Sequence, residues 1–349
     1  MLQPIKTQLK LKETSQDLLK HIENKRVREV LEKRFGLKTG DKKTLEAIGK
    51  EYGITRERVR QIEADGLRAL VLPAVYSTAD LVFKALREHI EEHGGVAAEH
   101  NLLFSLADAK SHAHATFLLT VGKPFSKKQE TDRAHPTWYT DKSAHDVLEK
   151  VLDGVYRDLE IKKVPVRKEA LIALFAKEAE KVLGHRPKDH VLLNYLGAAK
   201  LIGENPYGEF GLISWPTIRP KGVRDKAYMV LQKSAKPMHF RAVAEAINKM
   251  NWAKKAAHPQ TVHNELIKAQ DRFVLVGRGL YALREWGYLP GTVADVVKGI
   301  INEAGKPLGR EEIVSRVLAK RFVKENTILL NLQNRNLFTK EPDGKYFVA

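Results

Sequence analysis

The sequence contains no cysteine, which excludes disulfides and every zinc finger built on thiolates and fits a reducing compartment. No run of about 18 apolar residues exists to span a bilayer. The first residues, MLQPIKTQLKLKET, lack the apolar stretch of a signal peptide. A cytoplasmic chain without a membrane partner is therefore expected. Also missing are a Gly-rich phosphate loop, a nucleophile elbow and a dinucleotide fingerprint, so no catalytic residue and no cofactor is expected. Acidic residues are scarce against basic ones, 43 Asp and Glu against 60 Lys and Arg, giving a formal charge of +17 over 349 residues. Without a membrane anchor, that excess points to nucleic acid as the partner.

Two sparse signals for chemistry carry little weight. Asp158-Leu159-Glu160-Ile161-Lys162 has the acid, acid, Lys order of metal-dependent nucleases, but such acids should converge from adjoining strands. Here they follow an amphipathic helical pattern in a chain that is 30% charged. His112 and His114 offer two imidazoles, and two ligands do not make a site, so no metal is expected.

The length suggests about two to four domains. Residues 1–24 read as a polar, Lys-rich lead-in. Residues 25–76 read as a compact helical unit broken at Gly36, Gly40 and Gly53. Beyond them lies a weak internal repeat: SAKPMHFRAVAEAI at 234–247 aligns with AGKPLGREEIVSRV at 304–317. Each copy has a helix, a Lys-Pro turn and a second amphipathic helix. Each closes on a short β pattern around Gly, at 274–286 and 338–349. A looser copy starts at VPVRKEALIALF (164–175) and ends at NPYGEFGLISW (205–215). Another runs from about Thr78 to Tyr139. Three helices followed by a Gly-centred hairpin is the pattern of a winged helix, although small α+β domains can share that order by chance. The expected fold is mainly α: a helix-turn-helix domain followed by tandem winged-helix (α+β) domains at 77–142, 143–219, 220–288 and 289–349.

The most informative stretch is TLEAIGKEYGITRERVRQIEADGLRAL at 44–70. Leu45, Ile48 and Tyr52 form the apolar stripe of a short helix, Gly53 supplies a tight turn, and Thr55 is placed to cap a second helix. On a wheel, Val59, Ile62, Gly66, Ala69 and Leu70 gather on one side. Arg56, Glu57, Arg60, Gln61 and Ala64 gather opposite. Arg can pair with guanine, Gln with adenine, and a carboxylate with the cytosine amino group. An exposed helix laced by its own salt bridges would show the same charge pattern.

With REVLEKRFGL at 28–37, TLEAIG at 44–49 and TRERVRQIE at 55–63, Arg28–Leu70 resembles region 4 of primary, sigma-70-type sigma factors. The resemblance implies recognition of the promoter −35 element and contact with the β flap of RNA polymerase. It places Arg56, Glu57, Arg60 and Gln61 at bases and adjoining phosphates and Thr55 at the backbone. With Arg58, and with Gln260, Thr261, Asn264, Lys268 and Arg278 further along the chain, these make up the expected DNA-contacting set. The flap would be gripped by an apolar cradle including Phe35 and Leu37. Where the family continues with a basic or Ala-rich stretch, Asp65-Gly66 stand here, predicting a helix weaker at its end. The aromatic-rich region that melts the −10 element has no counterpart, so a complete sigma factor is not expected.

KPMHFRAVAEAI (236–247), PQTVHNEL (259–266) and FVLVGRGLYALREWG (273–287) make Arg224–Tyr288 resemble the HARE-type winged helix. That module occurs in the δ subunit of bacterial RNA polymerase, restriction systems and chromatin proteins. Residues 221–285 hold 13 Lys and Arg against 5 Asp and Glu. On the third helix Gln260, Thr261, Asn264 and Lys268 are polar, while Val262, Leu266 and Ile267 are apolar. Arg278, between Gly277 and Gly279, tips the wing and is placed to meet a phosphate or a minor groove. A protein-binding wing that needs Gly only for its turn fits equally well. The expectation is a nucleoid-associated, double-stranded-DNA-binding transcription regulator. Its rivals are a polymerase-associated interaction protein and, more remotely, a nuclease or restriction component.

Overall fold

The computed structural model describes residues 9–106, 108–250 and 256–349. They fall into two compact units, Met1–Glu204 with Gly208–Ile213, and Asn205–Tyr207 with Ser214–Ala349.

The first unit opens with helices α1 (Leu11–Lys20), α2 (Lys25–Phe35), α3 (Leu45–Tyr52), α4 (Arg56–Leu70) and the single turn α5 (Pro73–Tyr76). Then follow α6 (Asp80–Glu92), β1 (Val96–Ala98), α7 (Glu99–Leu106), α8 (His112–Val121), β2 (Ser126–Lys128) and β3 (Thr137–Tyr139). The same order returns in α9 (Lys142–Lys162), β4 (Val166–Arg167), α10 (Lys168–Leu183), α11 (Asp189–Ala198), β5 (Ile202–Glu204) and β6 (Glu209–Leu212).

The second unit repeats it in α12 (Val223–Ser234), β7 (Met238–His239), α13 (Phe240–Lys249), α14 (Pro259–Lys268), β8 (Phe273–Gly277) and β9 (Leu280–Leu283). A last copy comprises α15 (Val293–Ala304), α16 (Arg310–Lys320), α17 (Glu325–Leu332), β10 (Phe338–Lys340) and β11 (Tyr346–Val348). The fold is mainly α with small antiparallel sheets, as expected. No single helix among the described residues is long and apolar enough to cross a membrane.

The hairpins are not two-stranded in the first three copies. Strand orders β1-β3-β2, β4-β6-β5 and β7-β9-β8 show a strand from between the first two helices joining the hairpin. In the fourth copy Leu308 makes a single bridge to Tyr346 in that place. Local chemistry explains the extra strand. The first helix ends on a left-handed residue, Lys163, Ala235 or Gly305, with φ of 56, 51 and 62°. A proline follows, at 165, 237 or 307, and the residue before proline is pushed out of the helical region towards extended backbone. The first copy uses Gly94 and Gly95, both at positive φ, instead.

Two features of the first unit differ from the sequence reading. The lead-in holds a packed helix: α1 buries Leu11, Leu18 and Leu19, and Ile22 follows them into the core. Residues 1–8 lie outside the described residues. The helical unit at 25–76 also does not close on itself. Val30, Ile48, Val59 and Ile62 form its own small core. Leu31, Phe35, Leu37 and Leu70 join a larger core built from α1, α6, α7 and α8 and closed by Phe125 and Trp138. Tyr76, at the expected boundary, stacks on Phe83 with ring centres 4.6 Å apart.

Candidate nucleic-acid interface

Helix α3 starts at Thr44, whose hydroxyl accepts from the Ala47 N–H at 3.1 Å, and stops at Gly53 in the left-handed region. The turn is tighter than Gly53 alone requires. A Cβ at Gly49 would sit 2.6 Å from the Ile54 carbonyl oxygen, while the Ile54 N–H donates to the Gly49 carbonyl at 3.0 Å. Sequence reasoning misses Gly49, whose helical position hides its role. Thr55 then caps α4 by accepting from the Arg58 N–H at 3.2 Å.

Helix α4 does not weaken at Asp65-Gly66 but runs on to Leu70. Gly66 is where α2 crosses it: a Cβ there would come 2.7 Å from Val27 Cγ1 and 3.0 Å from Leu31 Cδ1. Close approach offsets the usual helix penalty of glycine, about 1 kcal/mol.

Val59, Ile62, Gly66 and Leu70 are buried, and Ala69 is half-buried. Thr55, Arg56, Glu57, Arg58, Arg60 and Gln61 are all exposed, on a helix whose other face is fixed by packing, and Ala64 is half-buried. Their side chains are already partly paired. Arg60 donates to both Glu57 oxygens at 3.0 and 3.1 Å through Nε, and at 2.7 Å through Nη2. Those hydrogen bonds hold the Glu57 carboxyl below its ordinary range. Arg58 donates to Gln61 Oε1 at 3.0 Å. Arg56 makes neither a hydrogen bond nor an ion pair among the described residues.

The second group of sequence-selected residues lies on α14 and the β8–β9 turn. Gln260, Thr261, Asn264 and Lys268 are exposed, with Gln260 donating to Asn264 at 3.3 Å. Val262 and Leu266 are buried in the core with Val230, Ile247 and Tyr281. Ile267 departs from the expected apolar side and is 46% exposed. Arg278 is exposed at the tip of the hairpin, next to Gly279 at φ 70°. A Cβ at Gly279 would meet His239 Nε2 at 2.5 Å, so this glycine serves both the turn and the packing of the wing.

Phe35 and Leu37 do not form an open cradle. Each is 8% exposed, and Phe35 sets its edge against Phe117 with ring centres 5.2 Å apart. Both belong to the core shared with α1, α6, α7 and α8. Asp158, Glu160 and Lys162 lie on α9 rather than on adjoining strands, and Asp158 accepts from Lys177 at 2.7 Å. His114 is buried with Nδ1 2.6 Å from Ser15 Oγ, whereas His112 stands beside the exposed Phe104.

A helix-turn-helix with an exposed, Arg-rich second helix, followed by repeated winged helices, is an architecture of DNA-binding proteins. The family comparisons agree. Residues 24–70 match the Sigma-70, region 4 family. Residues 223–286 match the HARE-HTH family, an HTH domain named in part for ASXL and restriction endonuclease proteins. RNA polymerase sigma factor SigA of a Bacillus species is 50% identical over 64 residues, 18% of this chain and 17% of its own length. RNA polymerase sigma factor RpoS of Coxiella burnetii is 53% identical over 60 residues, 16% of this chain and 17% of its own. The similarity to these sigma factors is confined to the region 4 segment, about a sixth of either relative.

Proposed function

We propose that this chain is a transcription regulator whose α4 reads a promoter −35-like element, or docks with its module on RNA polymerase. The winged helices then add further DNA or protein contacts, and the protein resides on the nucleoid. The observation that carries this reading is the row Arg56, Glu57, Arg58, Arg60 and Gln61, exposed over a buried opposite face in a segment that matches region 4. Donors and acceptors spaced along the first turns of such a helix suit base edges in a major groove. The polymerase link draws on the region 4 relatives, which are RNA polymerase sigma factors. A titration of full-length protein against a duplex carrying TTGACA and against its scramble tests the reading. Tighter binding to the first supports it, and equal affinity removes sequence recognition from the function.

A polymerase-associated interaction protein with incidental DNA binding is the second reading. It is favoured by Leu72 and Leu81, exposed apolar side chains just beyond α4 that a DNA duplex does not need. Retention on the isolated flap, together with equal affinity for both duplexes, would put this reading first.

A further inference from the structure

Helix α6 closes on His89-Ile90-Glu91-Glu92 and its C-cap His93, which sets His89, Glu92 and His93 at i, i+3 and i+4 around the helix end. One ligand atom from each of the three lies within 4.8 Å of the others. His89 and His93 are buried and Glu92 is exposed, so the group opens to solvent on its carboxylate side.

The hydrogen bonds fix which ring nitrogens carry protons. Ser105 Oγ donates its hydrogen to the Leu102 carbonyl at 2.7 Å, so it accepts from His89 Nε2 at 2.8 Å. His93 Nδ1 lies 2.8 Å from the His89 carbonyl, which can only accept. The lone pairs are therefore on His89 Nδ1 and His93 Nε2, and neither nitrogen has a hydrogen-bond partner among the described residues. Each ring is oriented, with one N–H committed to a protein acceptor, as in metal-ligating histidines. His190 of α11 stands edge-on to His93 at 5.4 Å and donates from Nε2 to the Glu92 carbonyl at 2.9 Å. Asn194, one turn on, donates to the His93 carbonyl at 2.8 Å and holds α11 against this end of α6.

We propose that His89 Nδ1, His93 Nε2 and the Glu92 carboxylate bind a divalent transition-metal ion of the zinc class. Two imidazole nitrogens and one carboxylate make a three-ligand set, with water for the fourth position of a tetrahedral ion. Zinc–nitrogen bonds of about 2.0–2.1 Å require the three ligands to close in slightly, and the exposed Glu92 is free to do so. The ion would fasten the end of α6 where the first two winged helices of this unit meet. No thiolate is needed, so the absence of cysteine does not exclude the site.

The test is titration of zinc chloride into chelator-stripped, full-length protein, followed by calorimetry and thermal melting. Cobalt(II) is added in parallel to read coordination through its visible d–d bands. Saturable uptake of one equivalent, a higher melting temperature and tetrahedral cobalt bands are expected. Glu92→Gln, on an exposed side chain, should weaken zinc by at least about tenfold while leaving the metal-free melt unchanged. His93→Gln should abolish uptake, with circular dichroism reporting the fold. No saturable uptake by the unmodified protein overturns the proposal. So does uptake that survives Glu92→Gln undiminished.

Discussion

At the scale of single residues, the outer face of α4 is self-engaged. Glu57 with Arg60 and Arg58 with Gln61 satisfy one another in the absence of DNA. Exposed pairs of this kind contribute about 0–1 kcal/mol, so a guanine or phosphate can displace them at small cost. Arg56 has no such partner to leave. Arg56→Ala should therefore keep its melting temperature but lose about 1–3 kcal/mol of discrimination at one or two base pairs of the −35-like site. Titrating the variant against preferred and scrambled duplexes checks this, and an equal loss on both would show that the helix does not read bases.

A second residue-scale effect concerns protons. Burial, with Lys12 adding to it, lowers the pKa of His114 from its ordinary 6.5. The folded state thus resists a proton that the unfolded chain accepts. Its contribution is intact above about pH 6.5 and is lost as pH falls through that value towards the folded pKa. Melts at about pH 7.5 and about pH 5 should differ less for His114→Gln than for the unmodified protein. An identical acid shift in both would remove His114 from the account.

At the scale of elements, most of the repeat is legible in the sequence because its signals are local. Lys-Pro turns, helical apolar spacing and Gly-centred hairpins each leave a mark within a few residues. The strand joining each hairpin leaves almost none. Val166-Arg167 and Met238-His239 are too short for an alternating pattern and acquire their role only by pairing with Phe210 and Tyr281 far along the chain. For the same reason Gly49 and Gly66 are easily misjudged: the oxygen and methyl groups that demand them belong to the turn and to α2. The repeats also contain a removable strain. Ala235 and Lys163 cap α12 and α9 in the left-handed region, where a Cβ costs roughly 1–2 kcal/mol. Ala235→Gly should raise stability by about 1 kcal/mol despite the freer unfolded chain. Chemical denaturation reads this directly, and a lower midpoint contradicts it.

At the scale of the whole molecule, charge and core pull in separate directions. The +17 charge predicts affinity for duplex DNA that falls steeply with salt, with a logarithmic slope of about −0.9 per phosphate contact. Affinity that stays flat between low and moderate salt would exclude a multi-contact footprint. The core is less legible than the charge. Phe35 and Leu37 look available for a partner because their sequence context is that of region 4, and nothing nearby in the chain reveals that Phe117 covers Phe35. Phe35→Ala should therefore cost about 3–5 kcal/mol of folding stability and lower flap retention only through unfolding. Retention lost with an unchanged melt would restore the docking role.

That shared core has an evolutionary side. A helix-turn-helix that lends Leu31, Phe35 and Leu70 to its neighbours is no longer an interchangeable part. Transplanted into another chain it would carry a bare apolar flank, and duplicated in place it would compete for the same cover. Its exposed outer face is free to change in sequence, while its inner flank is tied to α1 and α8. Freedom to vary and constraint by packing thus lie on opposite sides of the same module.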